Sequence, residues 1–170
     1  MRPVRLLTGP IRSGKTTRLR AWAAGRSDVA GVLSPDGPNG REFVDPATGE
    51  RMPMERPAAH EAVLAVGRFR FRRTAFDWAS ERLLAADADS RIRHIVVDEI
   101  GPIELAGDGF APALRHLLRA DGAALVLVVR DTLAARVGEA FAPRGAELFR
   151  EGEVRRFGVR VSSGGDREAE

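Results

Sequence analysis

The chain of 170 residues has no cysteine, no tyrosine, a single lysine and few aromatics, at 6%. Without cysteine there are no disulfides, thiolate metal sites or thiol nucleophiles, and His60, His94 and His116 lack the spacing of a metal-ligand set. The sequence therefore offers no structural zinc. No apolar run approaches the roughly 18 residues of a membrane span, and Met1-Arg2-Pro3-Val4 leads straight into a strand-like stretch rather than a signal-peptide apolar region. The expectation is a cytoplasmic protein without a membrane partner.

What remains is an ordinary globular composition, 44% hydrophobic and 30% charged, enough for one sizeable core. Lys and Arg number 27 against 24 Asp and Glu, for a net charge of +3, and all of these cations except Lys15 are arginine. Arginine explains the high isoelectric point, because its guanidinium stays charged where lysine would titrate. A net +3 spread along the chain is a weak nucleic-acid signal. The lone lysine is more informative: one position demands an ammonium in a chain that otherwise uses guanidinium.

Hydrophobic periodicity predicts alternating strands and helices, hence an α/β fold. Residues 4–8 read as a buried parallel strand, 17–26 as a helix and 29–34 as a second strand. Between 35 and 57, prolines and glycines break the chain into short pieces that read as a small antiparallel hairpin insertion, with turns at Pro35-Asp36-Gly37 and Pro46-Ala47-Thr48-Gly49. Residues 63–71 read as one strand, followed by a helix to about 88 capped by Thr74. Strands at 92–98 and 123–129 flank a helix over 109–120, and Asp131 caps another helix that ends before Pro143. Short strands near 147–150 and 154–161 complete a single domain over 1–161, and 162–170 reads as a disordered polar tail.

Gly9-Pro10-Ile11-Arg12-Ser13-Gly14-Lys15-Thr16 fits the phosphate-loop pattern G-x-x-x-x-G-K-[ST] and stands between a strand and a helix, where the mechanism needs it. Glycines let the backbone curl so that successive N–H groups face phosphate oxygens, and the following helix, which begins with Thr17, adds its positive end. Lys15 would reach the β and γ phosphates as a mobile point charge, which accounts for its being a lysine, and Thr16 would offer its hydroxyl to Mg²⁺. Ile95-Val96-Val97-Asp98-Glu99 is an apolar strand delivering two carboxylates at its C-terminal edge, where ligands bind in open α/β sheets. Asp98 resembles the Walker B aspartate that holds Mg²⁺, and Glu99 is placed to orient and deprotonate an attacking water. Glu104 reads equally as a support for the Gly101-Pro102-Ile103 loop or as a solvated charge.

Together the strand, the phosphate loop and Val96-Val97-Asp98-Glu99-Ile100-Gly101-Pro102-Ile103-Glu104-Leu105 resemble the nucleoside-triphosphatase family that includes the vertebrate cancer-related nucleoside-triphosphatase. Gly31-Val32, the stretch 40–45, Thr48-Gly49 and the stretch 66–69 extend the likeness over roughly residues 3–130, while Ser34-Pro35-Asp36-Gly37 and Arg130-Asp131 depart from it. The resemblance implies a P-loop fold with a mostly parallel central sheet flanked by helices. It also implies Mg²⁺-dependent hydrolysis of nucleoside triphosphates, ATP, GTP, CTP and UTP among them, to diphosphate and phosphate. By this likeness Gly9 to Thr16 form the nucleotide loop, with Asp98, Glu99 and Gly101 facing it, Thr16 and Asp98 on the metal, and Lys15 and Glu99 catalytic.

A transition-state arginine would come from Arg12, Arg41, Arg68 or Arg130, with Arg130, at the end of the strand after Asp98, the first choice. The alternating Arg68-Phe69-Arg70-Phe71-Arg72 stretch suggests nucleic acid, yet period-two alternation with Phe69 and Phe71 facing the core is the plainer account. Phe43, Phe69 and Phe157 are the candidates for stacking on a base. A dedicated GTPase is disfavoured because its Asn-Lys-x-Asp element needs a second lysine. A kinase with an unidentified acceptor, or a slowly hydrolysing switch acting on an unknown protein partner, are the alternatives.

Overall fold

The computed structural model describes residues 2–141 and 145–158. Five parallel strands form the central sheet: β1 (Val4–Gly9), β2 (Val29–Val32), β8 (His94–Ile100), β9 (Ala124–Arg130) and β10 (Glu147–Arg150), in the order β10-β1-β9-β8-β2. The inner runs of β2, β8 and β9 are almost continuously apolar because both faces of the sheet are covered there, whereas the edge strand β10 is largely exposed. Side chains alternate between the faces: Ile95, Val97, Leu125, Leu127 and Val129 join one core, and Val96, Val126 and Val128 join the other. The first core is roofed by α2 (Arg73–Ala88), α4 (Ala111–Arg119) and α5 (Ala134–Phe141). The second is closed by α1 (Lys15–Ala23), through Leu19 and Ala23, and by Val154 from a 3₁₀ segment, Glu151–Gly158.

Gly31 shows how tightly β2 lies on β8. A Cβ at this position would meet the Val96 carbonyl oxygen at 2.2 Å, and the backbone there has φ +116°. Only glycine fits both constraints.

An antiparallel insertion rises between β2 and α2. It comprises β3 (Asp36–Gly37), β4 (Gly40–Val44) and β5 (Arg51–Pro53) in one small sheet, then the hairpin of β6 (Val63–Val66) and β7 (Phe69–Arg72). Its anchor is Phe43, which is 1% exposed and meets Phe76 of α2 edge-on, with ring centroids 5.2 Å apart. Short α3 (Pro102–Leu105) follows β8 and packs against β6.

Several expectations are corrected. The helix expected at 17–26 is α1, which starts two residues earlier, at Lys15, and stops before a turn at Gly25 with φ +72°. The first turn of the insertion falls on Pro38-Asn39, because Asp36 and Gly37 pair with Arg41 and Gly40 as strand. The single strand expected at 63–71 is a hairpin, reversed at Gly67 with φ +54°. Thr74 caps nothing: α2 starts at Arg73, and Arg72 takes the cap position. Phe69, expected in the core, is 49% exposed, whereas Phe71 is buried; both lie on one face of β7, but Phe69 sits at the turn, beyond the reach of the core. The strand expected at 154–161 is instead the 3₁₀ segment as far as 158, and 159–161, like the tail 162–170, lie outside the described residues. Among the described residues no helix is long and apolar enough to cross a membrane.

Candidate nucleotide site

All five parallel strands end on one edge, and the connections after β1, β2, β8 and β9 meet there. After β1 the chain turns at Pro10-Ile11-Arg12-Ser13, with Arg12 at φ +60° and Gly14 at φ +86°, and runs directly into α1. Gly14 caps the helix without a side chain, and the first turn carries no acidic residue, so the backbone amides at its positive end face the loop. Lys15 is buried within this turn, its Nζ donating to the Gly9 and Pro10 carbonyls at 2.9 and 2.6 Å. Thr17 stands exposed one residue beyond Thr16.

Across the edge, β8 brings up its two carboxylates. Its ladder with β9 passes from Val97↔Leu127 to Ile100↔Val129, so β8 carries one extra residue at Asp98-Glu99. Asp98 is fully buried. Its Oδ2 accepts the Thr16 hydroxyl at 2.7 Å and the Ser34 N–H at 3.2 Å, while Oδ1, also buried, has no hydrogen-bond partner among the described residues. Burial pushes the Asp98 carboxyl up to about 6, against the lowering effect of Thr16 and Ser34; Glu99 raises it further and the charge of Arg41 lowers it. Glu99 accepts a 2.6 Å hydrogen bond from Arg130 Nε, and the Arg130 backbone lies in register with Gly9, the first residue of the loop.

Thr16 and Asp98 fit a magnesium ion. Both offer hard oxygen donors, and the unpartnered Asp98 Oδ1 is the kind of group a cation would complete. Among the described residues no group of three or more His, Cys, Asp or Glu could hold a metal alone. That agrees with Mg²⁺ chemistry, in which one or two protein oxygens share the ion with water and phosphates.

Sequence-predicted residues from Gly9 to Thr16, with Asp98, Glu99, Gly101 and Arg130, thus converge on one edge. Glu104 supports the loop: it is 2% exposed, and its Oε2 accepts the Gly101 N–H at 3.0 Å. Burial pushes its carboxyl up to about 7, although hydrogen bonds from backbone amides, the Gly101 N–H among them, pull the other way. Phe43 is buried and cannot stack on a base, the side chain of Phe157 lies outside the described residues, and Arg68 covers the Phe69 ring at the hairpin turn. Sequence reasoning missed Ser34, whose contribution is a backbone N–H and leaves no mark in residue type.

A phosphate loop between β1 and α1, facing an aspartate at the end of a parallel strand two places away in the sheet, defines a P-loop NTPase fold. The profile of the NTPase family matches residues 5–151, and the chain belongs to that family. Two solved structures share the fold. The human cancer-related nucleoside triphosphatase superposes with a TM-score of 0.66 at 23% identity, over 91% of this chain and 94% of that one. THEP1 from the hyperthermophile Aquifex aeolicus gives 0.68 at 19% identity, over 86% and 88%. No curated protein sequence matches the chain.

Proposed function

We propose that the protein hydrolyses nucleoside triphosphates to diphosphate and phosphate with Mg²⁺, without strong selection of the base. The observation that carries this reading is the 2.7 Å link from Thr16 to Asp98 with Glu99 alongside, which joins a phosphate-binding element to a carboxylate able to act on water. When bound, Mg²⁺ would neutralise charge on the β and γ phosphates. The chain's own residues do the rest. The loop amides and Lys15 hold the phosphates, Thr16 and Asp98 supply oxygens to the metal side, and Glu99 orients a water and takes its proton. Of the aromatics considered for stacking on a base, Phe43 is buried in the core and out of reach.

The test is phosphate release from ATP, GTP, CTP and UTP with Mg²⁺, comparing the parent with Lys15→Ala and Glu99→Gln. Steady release across several bases, lost in both variants, is the expected result. Tight nucleotide binding with negligible release would instead favour a kinase lacking its acceptor or a switch lacking its partner.

A further inference from the structure

Phosphoryl transfer spreads negative charge over the γ oxygens and the bridging oxygen, and a P-loop site without an arginine to meet that charge turns over slowly. Two of the arginines weighed from sequence are otherwise placed. Arg130 gives its Nε to Glu99 at 2.6 Å, and Arg68 lies over the Phe69 ring, with 5.2 Å to the centroid, at the turn between β6 and β7. Arg12 stands exposed on the loop.

Arg41 differs from all three. It sits on β4 two residues before Phe43, so both side chains leave the same face of the strand. Phe43 fixes that face against the core at Phe76 and Phe110. The strand is tied to the end of β2: Leu33 and Val44 exchange hydrogen bonds of 2.9 and 2.8 Å, and Glu42 N–H reaches the Pro35 carbonyl at 3.3 Å. Between Leu33 and Pro35 stands Ser34, whose N–H donates to Asp98. The insertion therefore springs from a residue that touches the candidate metal-side carboxylate. Among the described residues no hydrogen bond joins Arg41 to Asp98; the backbone brings β4 toward the carboxylate, through Glu42 N–H to the Pro35 carbonyl and Ser34 N–H to Asp98. Among the described residues the ion-pair partner of Arg41 is Asp36, 4.0 Å away and 84% exposed, a contact too long and too solvated to hold it. Arg41 is itself 31% exposed, so its side chain is open to solvent.

We propose that Arg41 is a further catalytic residue, carried on the antiparallel insertion, that places its guanidinium on the transferring phosphoryl group. This rests on the hydrolytic reading above. In the step it assists, the water oxygen bonds to the γ phosphorus and the bond from that phosphorus to the bridging oxygen breaks. The nucleoside diphosphate leaves with the electron pair, and the water proton passes to Glu99. Arg41 donates N–H groups to the oxygens that gain charge and is unchanged at the end. Its planar fork fits two oxygens at once, which an ammonium does not.

The test compares the parent with Arg41→Ala, Arg41→Lys and, as a control on the neighbouring hairpin, Arg68→Ala, each shown by its melting curve to be folded. Arg41→Ala is expected to lower kcat by roughly 10³-fold, with affinity for nucleoside diphosphate and for a non-hydrolysable triphosphate analogue held within about threefold. Arg41→Lys should recover little, and Arg68→Ala should match the parent. A second readout is trapping of Mg²⁺, ADP and aluminium fluoride as a transition-state mimic, which the parent should retain and Arg41→Ala should lose. An Arg41→Ala variant that keeps kcat within about threefold, or loses ground-state affinity as much as kcat, overturns the assignment of Arg41 alone. A parent that releases no phosphate from any triphosphate overturns the assignment together with the hydrolytic reading beneath it.

Discussion

The parallel sheet and the antiparallel insertion solve different problems. On the sheet, the positions of Lys15, Thr16, Asp98, Glu99 and Arg130 follow from strands buried on both faces, whose ends cannot shift without disturbing two cores. In the insertion, strands of two to five residues are held by a few aromatic anchors, and Arg51, Arg68 and Arg70 stand exposed on or beside them. On the proposed reading, a rigid edge would suit groups that bind phosphate and metal the same way each time, and the smaller insertion, anchored at Phe43, would suit a group that acts only as charge develops.

The strongest way to break this contrast is to remove the anchor. Phe43→Ala should destabilise the protein by about 3–5 kcal/mol, read as a lowered melting temperature or denaturation midpoint, because it opens a cavity between Phe76 and Phe110. A loss below about 1 kcal/mol would mean the insertion is not clamped to the core.

A pH series sharpens the sheet side. Glu104 titrates near 7 when folded, above its ordinary 4.5, so its contribution to stability is fully present below pH 4.5 and is lost as the pH rises through about 7. By the size of that shift the effect is about 3 kcal/mol at most. Glu104→Gln should therefore show a flatter decline in melting temperature than the parent between pH 5 and 8. Parallel declines would show that the buried carboxyl keeps its ordinary titration.

Arg130→Ala, which frees Glu99 from its ion pair, should lower kcat about 100-fold while changing nucleotide affinity little, as measured by titration of a fluorescent analogue. An unchanged kcat would remove Arg130 from the machinery. The smallest effect belongs to the outer hairpin: Phe69→Ala should change stability by no more than about 0.5 kcal/mol in a denaturant titration, even though its neighbour Phe71 is core.

The two regions also differ in how far sequence reveals them. The phosphate loop, the apolar runs of β8 and β9, and the two carboxylates ending β8 are legible because their function and their burial both leave marks in residue type. The insertion is legible only as a proline- and glycine-rich interruption. Phe69 and Phe71 are chemically identical and both obey alternation, so only their distance from the turn separates a surface ring from a core one. Likewise Val154, expected in a strand, lies in a 3₁₀ segment that packs it with Leu19 and Ala23, a contact the local pattern does not reveal. Glu104 shows the same limit for a charge, since burial is a property of the α3 loop as a whole rather than of the glutamate.

Gly31 gives the fold a sensitivity that no list of site residues would include. The 2.2 Å between its missing Cβ and the Val96 carbonyl sets how far β2 stands from β8, and three residues later the same chain reaches Asp98 through Ser34 and turns upward into the insertion that bears Arg41. One added methyl group there, on the edge strand β2, would force β2 away from β8 and carry the base of the insertion with it. On the proposed reading, a lesion in the sheet would then be inherited as slow chemistry rather than as lost nucleotide affinity.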